Sequence, residues 1–477
     1  MPINGQTINI AINPLGQKNV DPIETFVPNH IELRNGLVTD AGNFVKRNGY
    51  DSGEWDLSVG RKVPLLMPYL NGYAVDNDGF VHALGDTVTQ LSERLTGDYG
   101  SQYGYHPTWA VQKDLALLFD GKRPIKIQNN ETSLLDGDPP FGTHVDRLGP
   151  YSIVSGYKDA EGEFTEFEWC ASNNPELWDR GAITDSGFNS VRKDGGNILA
   201  HKVLNDRIYF FKDNNTEIWT LGSITFVRLE GHGWDVGIKA PYSVVKAQNA
   251  LYWLGSDGDF HVTAGGSEQI ISFPYRKEID SLFFPEQIYG LEFRKESVIR
   301  WFAPSEGKCF TYDYRHQVWS EDNAWANGAF TRLPVLSYME MGNKQYIGDY
   351  EPTGLIYEWG QSSKDDNGDI IRVFRKFAYL PFSTGNLARF NRVLFRVKRA
   401  VATTAVPAPK LLWRYQLDKA GWSKWFELDL GEHGENDPHV TYHTLGIGRE
   451  IEFELAETDA VDYILTGMTV TAEELQR

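Results

Sequence analysis

Cysteine is nearly missing from this chain: Cys170 and Cys309 are the only two in 477 residues. Two thiols cannot build a disulfide framework for a chain this long, which excludes the stapled secreted scaffolds and fits a protein made in a reducing cytoplasm. Long apolar runs are missing as well. No stretch approaches the roughly 18 apolar residues of a membrane-spanning helix, and the opening MPINGQTINIAINPLG lacks the basic-then-apolar order of a signal peptide. Cations are in deficit, with Lys+Arg 46 against Asp+Glu 65 and a net charge of -19. Nucleic acid is gripped non-specifically by cations that displace phosphate counterions, so a chain this acidic is not built for that. Its acidity serves solubility, or keeps DNA from adhering to a surface it slides past. Helical periodicity is scarce, with 275–283 and the terminal TAEELQR as the best candidates.

Chemical signatures are absent too. No HExxH, GxSxG or GxxxxGK[ST] occurs, which removes the common zinc-protease, hydrolase and nucleotide motifs. His232 and His261 stand alone. SDGD at 256–259 and DDNGD at 365–369 offer oxygen ligands, but neither has the spaced acids and closing glutamate of a calcium loop, so both read as tight turns. DNDGFVHAL lacks the serine and tryptophan of a sialidase-type Asp box, and LGIGRE at 445–450 lacks a third glycine. The expectation is no catalytic residue, no metal and no cofactor.

What remains is aromatic and rich in turns: Trp 14, Tyr 23, Phe 26 and Gly 46, the composition of an all-β chain. The stretch 207–272 sets the pattern. RIYFFKDNNTEIWTL is two apolar runs around a polar turn, and ALYWLGSDGDFHV repeats the design about 44 residues later. Similar hairpins lie at 70–84, 113–128, 151–169, 297–320 and 344–359. Their spacing of roughly 40 to 50 residues matches a four-stranded blade and predicts a six- or seven-bladed β-propeller over 61–365. Ile208, Phe210, Tyr252 and Trp253 should feed its core. A two-sheet sandwich with accidental spacing is the competing arrangement.

Residues 1–60 lack the repeat. They would supply a strand that closes the last blade, or dock onto a neighbouring subunit. KDDNGD at 364–369 has the composition of a linker, and beyond it RFNRVLFRVKR, KLLWRYQL, WSKWFELDL, REIEFEL and DYILTGMTV predict a C-terminal β-sandwich over 370–477.

Several segments together resemble one family. GQKNVDPIETFVPNHIEL followed by FVKRNGY near the start, FFKDNNTEIWTLG and GIKAPYSVVKAQNALYWLGSDGDFHV in the middle, and LGIGREIEFELAETDAVDYILTGMTV at the end look like the packaged-DNA stabilisation proteins of short-tailed bacteriophages. These are also described as tail accessory, tail-hub or tail-nozzle proteins. Arg47-Asn48-Gly49 departs from the family, which tends to carry proline before that glycine. The resemblance implies a homo-hexameric ring below the portal and its adaptor, with a tail needle, plug, fibre or spike protein beneath. Such a ring would continue the DNA channel without sequence-specific contact and retain the genome until ejection. It would be assembled in the host cytoplasm and reside in the virion tail, with no membrane insertion.

One local feature runs against the overall charge. Between Ile370 and Ala400 lie Arg372, Arg375, Lys376, Arg389, Arg392, Arg396, Lys398 and Arg399, and no acid. These are candidates for an assembly interface with an acidic partner or neighbouring subunit. Alternatively they pair internally with Glu450, Glu452 and Glu454 of REIEFEL across a sheet. A different class, a carbohydrate-binding or glycan-hydrolysing propeller of receptor-binding or depolymerase type, would instead show carboxylates converging in a central pocket lined by tryptophan.

Overall fold

The computed structural model describes residues 6–8, 30–97, 104, 106–181, 184–193, 195–223, 225–360, 363–381, 386–432, 437 and 439–475. The family-like segment 16–29 lies outside them. Apart from 3-10 turns and one short helix, Arg276–Asp280, every regular element among the described residues is a strand. The helical period at 275–283 thus yields a single short helix. TAEELQR does not form a helix: its first four residues end the strand Ile464–Glu474, because pairing to a neighbouring strand outweighs local propensity.

The apolar runs LALLF, RIYFF, ALYWL and VIRWFA form second strands with both faces covered, as short continuous apolar runs do when buried. Four consecutive antiparallel strands make a sheet in each of the spans 65–94, 108–134, 144–190, 198–228, 245–270 and 289–321. A seventh sheet has three strands within 335–360, and its fourth is Gly49–Asp56 from near the start of the chain. Ile208, Phe210 and Trp253 are wholly buried and Tyr252 nearly so.

Each sheet shares a hydrophobic cluster with the next. Val75 and Val81 of the first pack with Leu118 and Ile125 of the second. Phe119 meets Val154, Phe167 meets Phe210, Phe211 meets Trp253, Phe260 meets Trp301, and Phe302 belongs with Trp359. The seventh sheet then shares Trp55 and Ile356 with Leu66 and Ala74 of the first.

A recurrent aspartate holds the turn after the second strand. Asp76 accepts from the N–H groups of Asp78 at 2.8 Å and Phe80 at 3.0 Å. Asp120 accepts from Lys122 N–H at 3.1 Å, Asp159 from Glu161 at 3.0 Å, and Asp349 from Glu351 at 2.8 Å. Asp257 does the same for Asp259 at 3.2 Å. A carboxylate that replaces a missing ladder partner two residues on is a turn-forming device, so part of the chain's acidity is architectural.

The C-terminal sandwich has two sheets over one core, in which Phe395, Trp413, Phe453 and Val470 are fully or almost fully buried. One sheet runs Gly36–Val38, Phe44–Lys46, Ile464–Glu474, Ala388–Val397, His439–Gly448, with Gln6–Ile8 also on Ile464–Glu474. The other runs His30–Arg34, Val373–Phe377, Glu450–Glu457, Lys410–Leu417, Phe426–Asp429. A single parallel bridge, Arg34 to Glu321, joins this second sheet to the sixth sheet of the preceding region. Residues 30–46 therefore complete the sandwich while 49–56 complete the seventh sheet.

Candidate functional site

The basic stretch divides into two groups. Arg372, Arg375 and Lys376 turn inward or along the strand Val373–Phe377. Arg372 lies over Trp325 at 4.6 Å. Arg375 is buried between Phe44 and Phe377, at 5.0 and 4.7 Å, and burial pushes its guanidinium down to about 10. Lys376 reaches Glu452 at 3.5 Å. Arg389, Arg392, Arg396 and Lys398 lie on or just after Ala388–Val397 and are exposed, while the inward residues of that strand, Phe390, Val393 and Phe395, fill the core. Arg399 is partly buried at the strand's end. Lys398 meets Asp462 at 3.1 Å. Among the described residues, Arg389, Arg392 and Arg396 have no carboxylate at ion-pair distance. Arg392 only approaches the Thr471 hydroxyl at 3.5 Å, and His443 and His439 stand opposite Arg392 and Arg396 on the next strand.

The expected internal pairing with Glu450, Glu452 and Glu454 forms at Lys376, whose strand lies beside Glu450–Glu457, and not at Arg389, Arg392, Arg396 or Lys398. Ala388–Val397 belongs to one sheet and Glu450–Glu457 to the other. Arg414 and Gln416, on the strand beside Glu450–Glu457, hold Glu454 and Glu452 instead. Burial raises the Glu454 carboxyl, opposed by Arg414. Glu457, wholly buried, meets Lys46 of the opposite sheet at 2.7 Å. Burial pushes its carboxyl up to about 7 despite that cation.

The motif RNG forms a buried junction. The Arg47 guanidinium donates to Asn35 Oδ1 at 2.9 Å, to Asp366 Oδ1 and Oδ2 at 2.9 and 2.6 Å, and to the carbonyls of Asn48 and Asn323 at 2.8 and 3.0 Å. All five N–H donors are thereby engaged. A Cβ at Gly49 would lie 1.9 Å from the Asp365 carbonyl, so only glycine fits. KDDNGD is therefore no loose linker, since Asp366 is fastened to the N-terminal segment. Arg300 lies nearby with Glu296 and Asp322, each at 2.7 Å.

A cavity of about 1130 Å³ opens where loops of the second, third and fourth sheets meet. Lys122 comes from the turn after Leu115–Phe119, Phe141 from the link between sheets, and Lys158 and Phe164 from the turn after Tyr151–Ser155. Five carboxylates (Asp120, Asp138, Glu168, Asp179 and Asp213) share the lining with three cations, Lys122, Lys158 and Arg180. Arg180 is engaged, donating to Glu168 at 2.9 Å and Glu166 at 3.2 Å. Burial raises the Asp120 and Glu168 carboxyls. His106 and His144 line the cavity's inner wall against Tyr242, at centroid distances of 5.0 and 5.2 Å. Burial pushes each imidazole down to about 3, so both are neutral bases at physiological pH. Sequence patterning does not single out this cavity, because its lining comes from turns that individually look ordinary.

The isolated ligand candidates are accounted for by neighbours. His261 contacts Asp257 at 2.9 Å. Asp259 accepts from Ser272 at 2.9 Å and meets Arg276 at 3.1 Å. The exposed His232 contacts the Glu230 carbonyl. Among the described residues no three His, Cys, Asp or Glu side chains are grouped to hold a metal, and no helix is long and apolar enough to cross a membrane.

No protein-family model and no curated protein matches the chain. Among solved structures it is similar to the computationally designed Ika8 protein, at 14% identity over 65% of this chain and 100% of that one, with a TM-score of 0.38. It is similar to PorZ, a bacterial surface component of the type-IX secretion system of Porphyromonas gingivalis, at 11% identity over 79% of this chain and 46% of PorZ, TM-score 0.35. The extracellular domain of BT3049 from B. thetaiotaomicron gives 11% identity over 78% and 46%, TM-score 0.42. The chain spans less than half of the latter two. Likenesses this low assign neither activity nor partner.

Proposed function

We propose that the seven sheets close into a seven-bladed propeller and that the chain is a non-enzymatic structural subunit of a short phage tail. The subunit forms a homo-hexameric ring below the portal and adaptor. The ring continues the DNA channel, and a needle, plug or fibre protein beneath it holds the genome until ejection. Closure is supported by the cluster shared between the seventh and first sheets and by the strand Gly49–Asp56. The observation that carries the assembly is the outward row Arg389, Arg392, Arg396 and Lys398 in a chain of net charge -19. Such a row is complementary to the acidic surface that another copy presents. An acidic ring wall does not trap the phosphate backbone passing through it.

Mass photometry and negative-stain imaging, with the protein alone and with its portal–adaptor complex, test this. Rings should form at low salt and weaken toward 1 M, where the Debye length shrinks to about 3 Å. The triple change Arg392→Glu, Arg396→Glu, Lys398→Glu should leave the subunit folded and abolish rings. A triple variant that still assembles, or a wild type that stays monomeric with the portal complex present, sinks the proposal.

A further inference from the structure

The cavity among the second, third and fourth sheets has a lining that neither the ring nor the basic face uses. We propose that it binds a neutral saccharide. Phe141 is 51% exposed at its wall, and the half-buried Phe164 lines the same space. An exposed ring in a concave site offers a flat face to the C–H side of a sugar ring. Asp213 and Asp179 each place one oxygen on a backbone N–H, of Asn197 and Gly181, both at 2.7 Å. The second oxygen of each remains an acceptor for hydroxyl groups. The volume of about 1130 Å³ exceeds the usual small-ligand range of about 300–1,000 Å³, which suits several linked rings.

Charge narrows the class. With Arg180 held by Glu168 and Glu166, the remaining carboxylates outnumber Lys122 and Lys158, so a phosphate or nucleic-acid ligand meets net repulsion. An organic cation would meet Lys122 and Lys158 in the same lining, the latter with its Nζ 6.0 Å from the Phe164 ring centroid. A polyhydroxyl ligand without charge satisfies both constraints. This inference is independent of the ring: a monomer carries the whole cavity.

The test is a printed array of defined oligosaccharides probed with the full chain, followed by titration calorimetry with the best-bound glycan. Spermidine and inorganic phosphate serve as counter-probes. The array should show selective binding. Phe141→Ala should weaken the best glycan about tenfold, and Asp213→Asn several-fold, the scale of losing one stacking face or one charge-assisted hydrogen bond. Thermal melting of Phe141→Ala should match wild type, since that ring is not in the core. A blank array, equal affinity in wild type and Phe141→Ala, or binding of spermidine or phosphate in place of glycans overturns the proposal.

Discussion

Two sets of arginines in this molecule have opposite fates. Arg47 and Arg300 are almost completely buried at the junction of the sheets and the sandwich, each facing carboxylates at 2.6 to 2.9 Å. Arg392 and Arg396 lie exposed on a sheet face with no acid at ion-pair distance among the described residues. The side chain is the same, but the surroundings decide its role. Removing the partner of a buried, paired guanidinium leaves an uncompensated charge inside the fold and is strongly destabilising. An exposed one contributes little to folding and stays available to something outside.

The sharpest way to break this contrast is Arg47→Ala, which strands the buried Asp366 carboxylate. It should destabilise by about 3–5 kcal/mol, and Arg47→Lys should recover only part, because an ammonium cannot replace the bidentate fork. Urea midpoints decide; a loss below about 1 kcal/mol would erase the distinction between the two sets. Next in size is Asp76→Ala. It removes an acceptor for two N–H groups and for His82 at 2.9 Å, at about 1–3 kcal/mol for buried donors left unmade. Asp257→Ala, at a more open turn, should shift the midpoint less, and equal shifts would show that burial is not the governing variable.

A pH series sharpens the comparison from the acid side. The folded Glu457 carboxyl lies near 7, above its ordinary 4.5. The folded state therefore binds the proton more tightly than the unfolded chain. Its contribution to stability is fully present below about pH 4.5 and is lost as pH rises toward 7. Urea midpoints at pH 5, 6, 7 and 8 should decline across that window in wild type and less steeply in Glu457→Gln. Superimposable slopes would remove Glu457 as the titrating group. The smallest effect belongs to the sheet face: reversing Arg392, Arg396 and Lys398 to Glu should change subunit stability by no more than about 1 kcal/mol, measured by thermal melting beside the ring assay.

Much of this architecture was legible in residue order. Continuous apolar runs such as ALYWL and RIYFF, bounded by Asp, Asn and Gly, announced strands covered on both faces and the hairpin turns between them. The recurring aspartate was visible as DNDG, DGKR, SDGD and DYEP, yet each alone looks like any turn. The partners of Arg47 were not legible, since Asp366 is 319 residues away. The same holds for the sandwich, whose N-terminal strands lie in 30–46, far from 370–477. The basic stretch stood out in the sequence, but its division did not. Strand alternation separates inward from outward side chains on Ala388–Val397, but only the fold shows that Glu450–Glu457 lies on the opposite sheet. The cavity was hidden for a related reason, being assembled from the loops of three sheets.

The strand Gly49–Asp56 leaves the ribosome long before the strand it pairs with. Its partner, Leu355–Gly360, is translated about 300 residues later, and closing so long a loop before any contact rewards it makes folding slow. Until then the nascent chain carries sheets with open edges. A product truncated before residue 355 leaves the early strand without its partner and Arg47 without the Asp366 carboxylate, so the fold itself discriminates such unfinished chains before any subunit meets another.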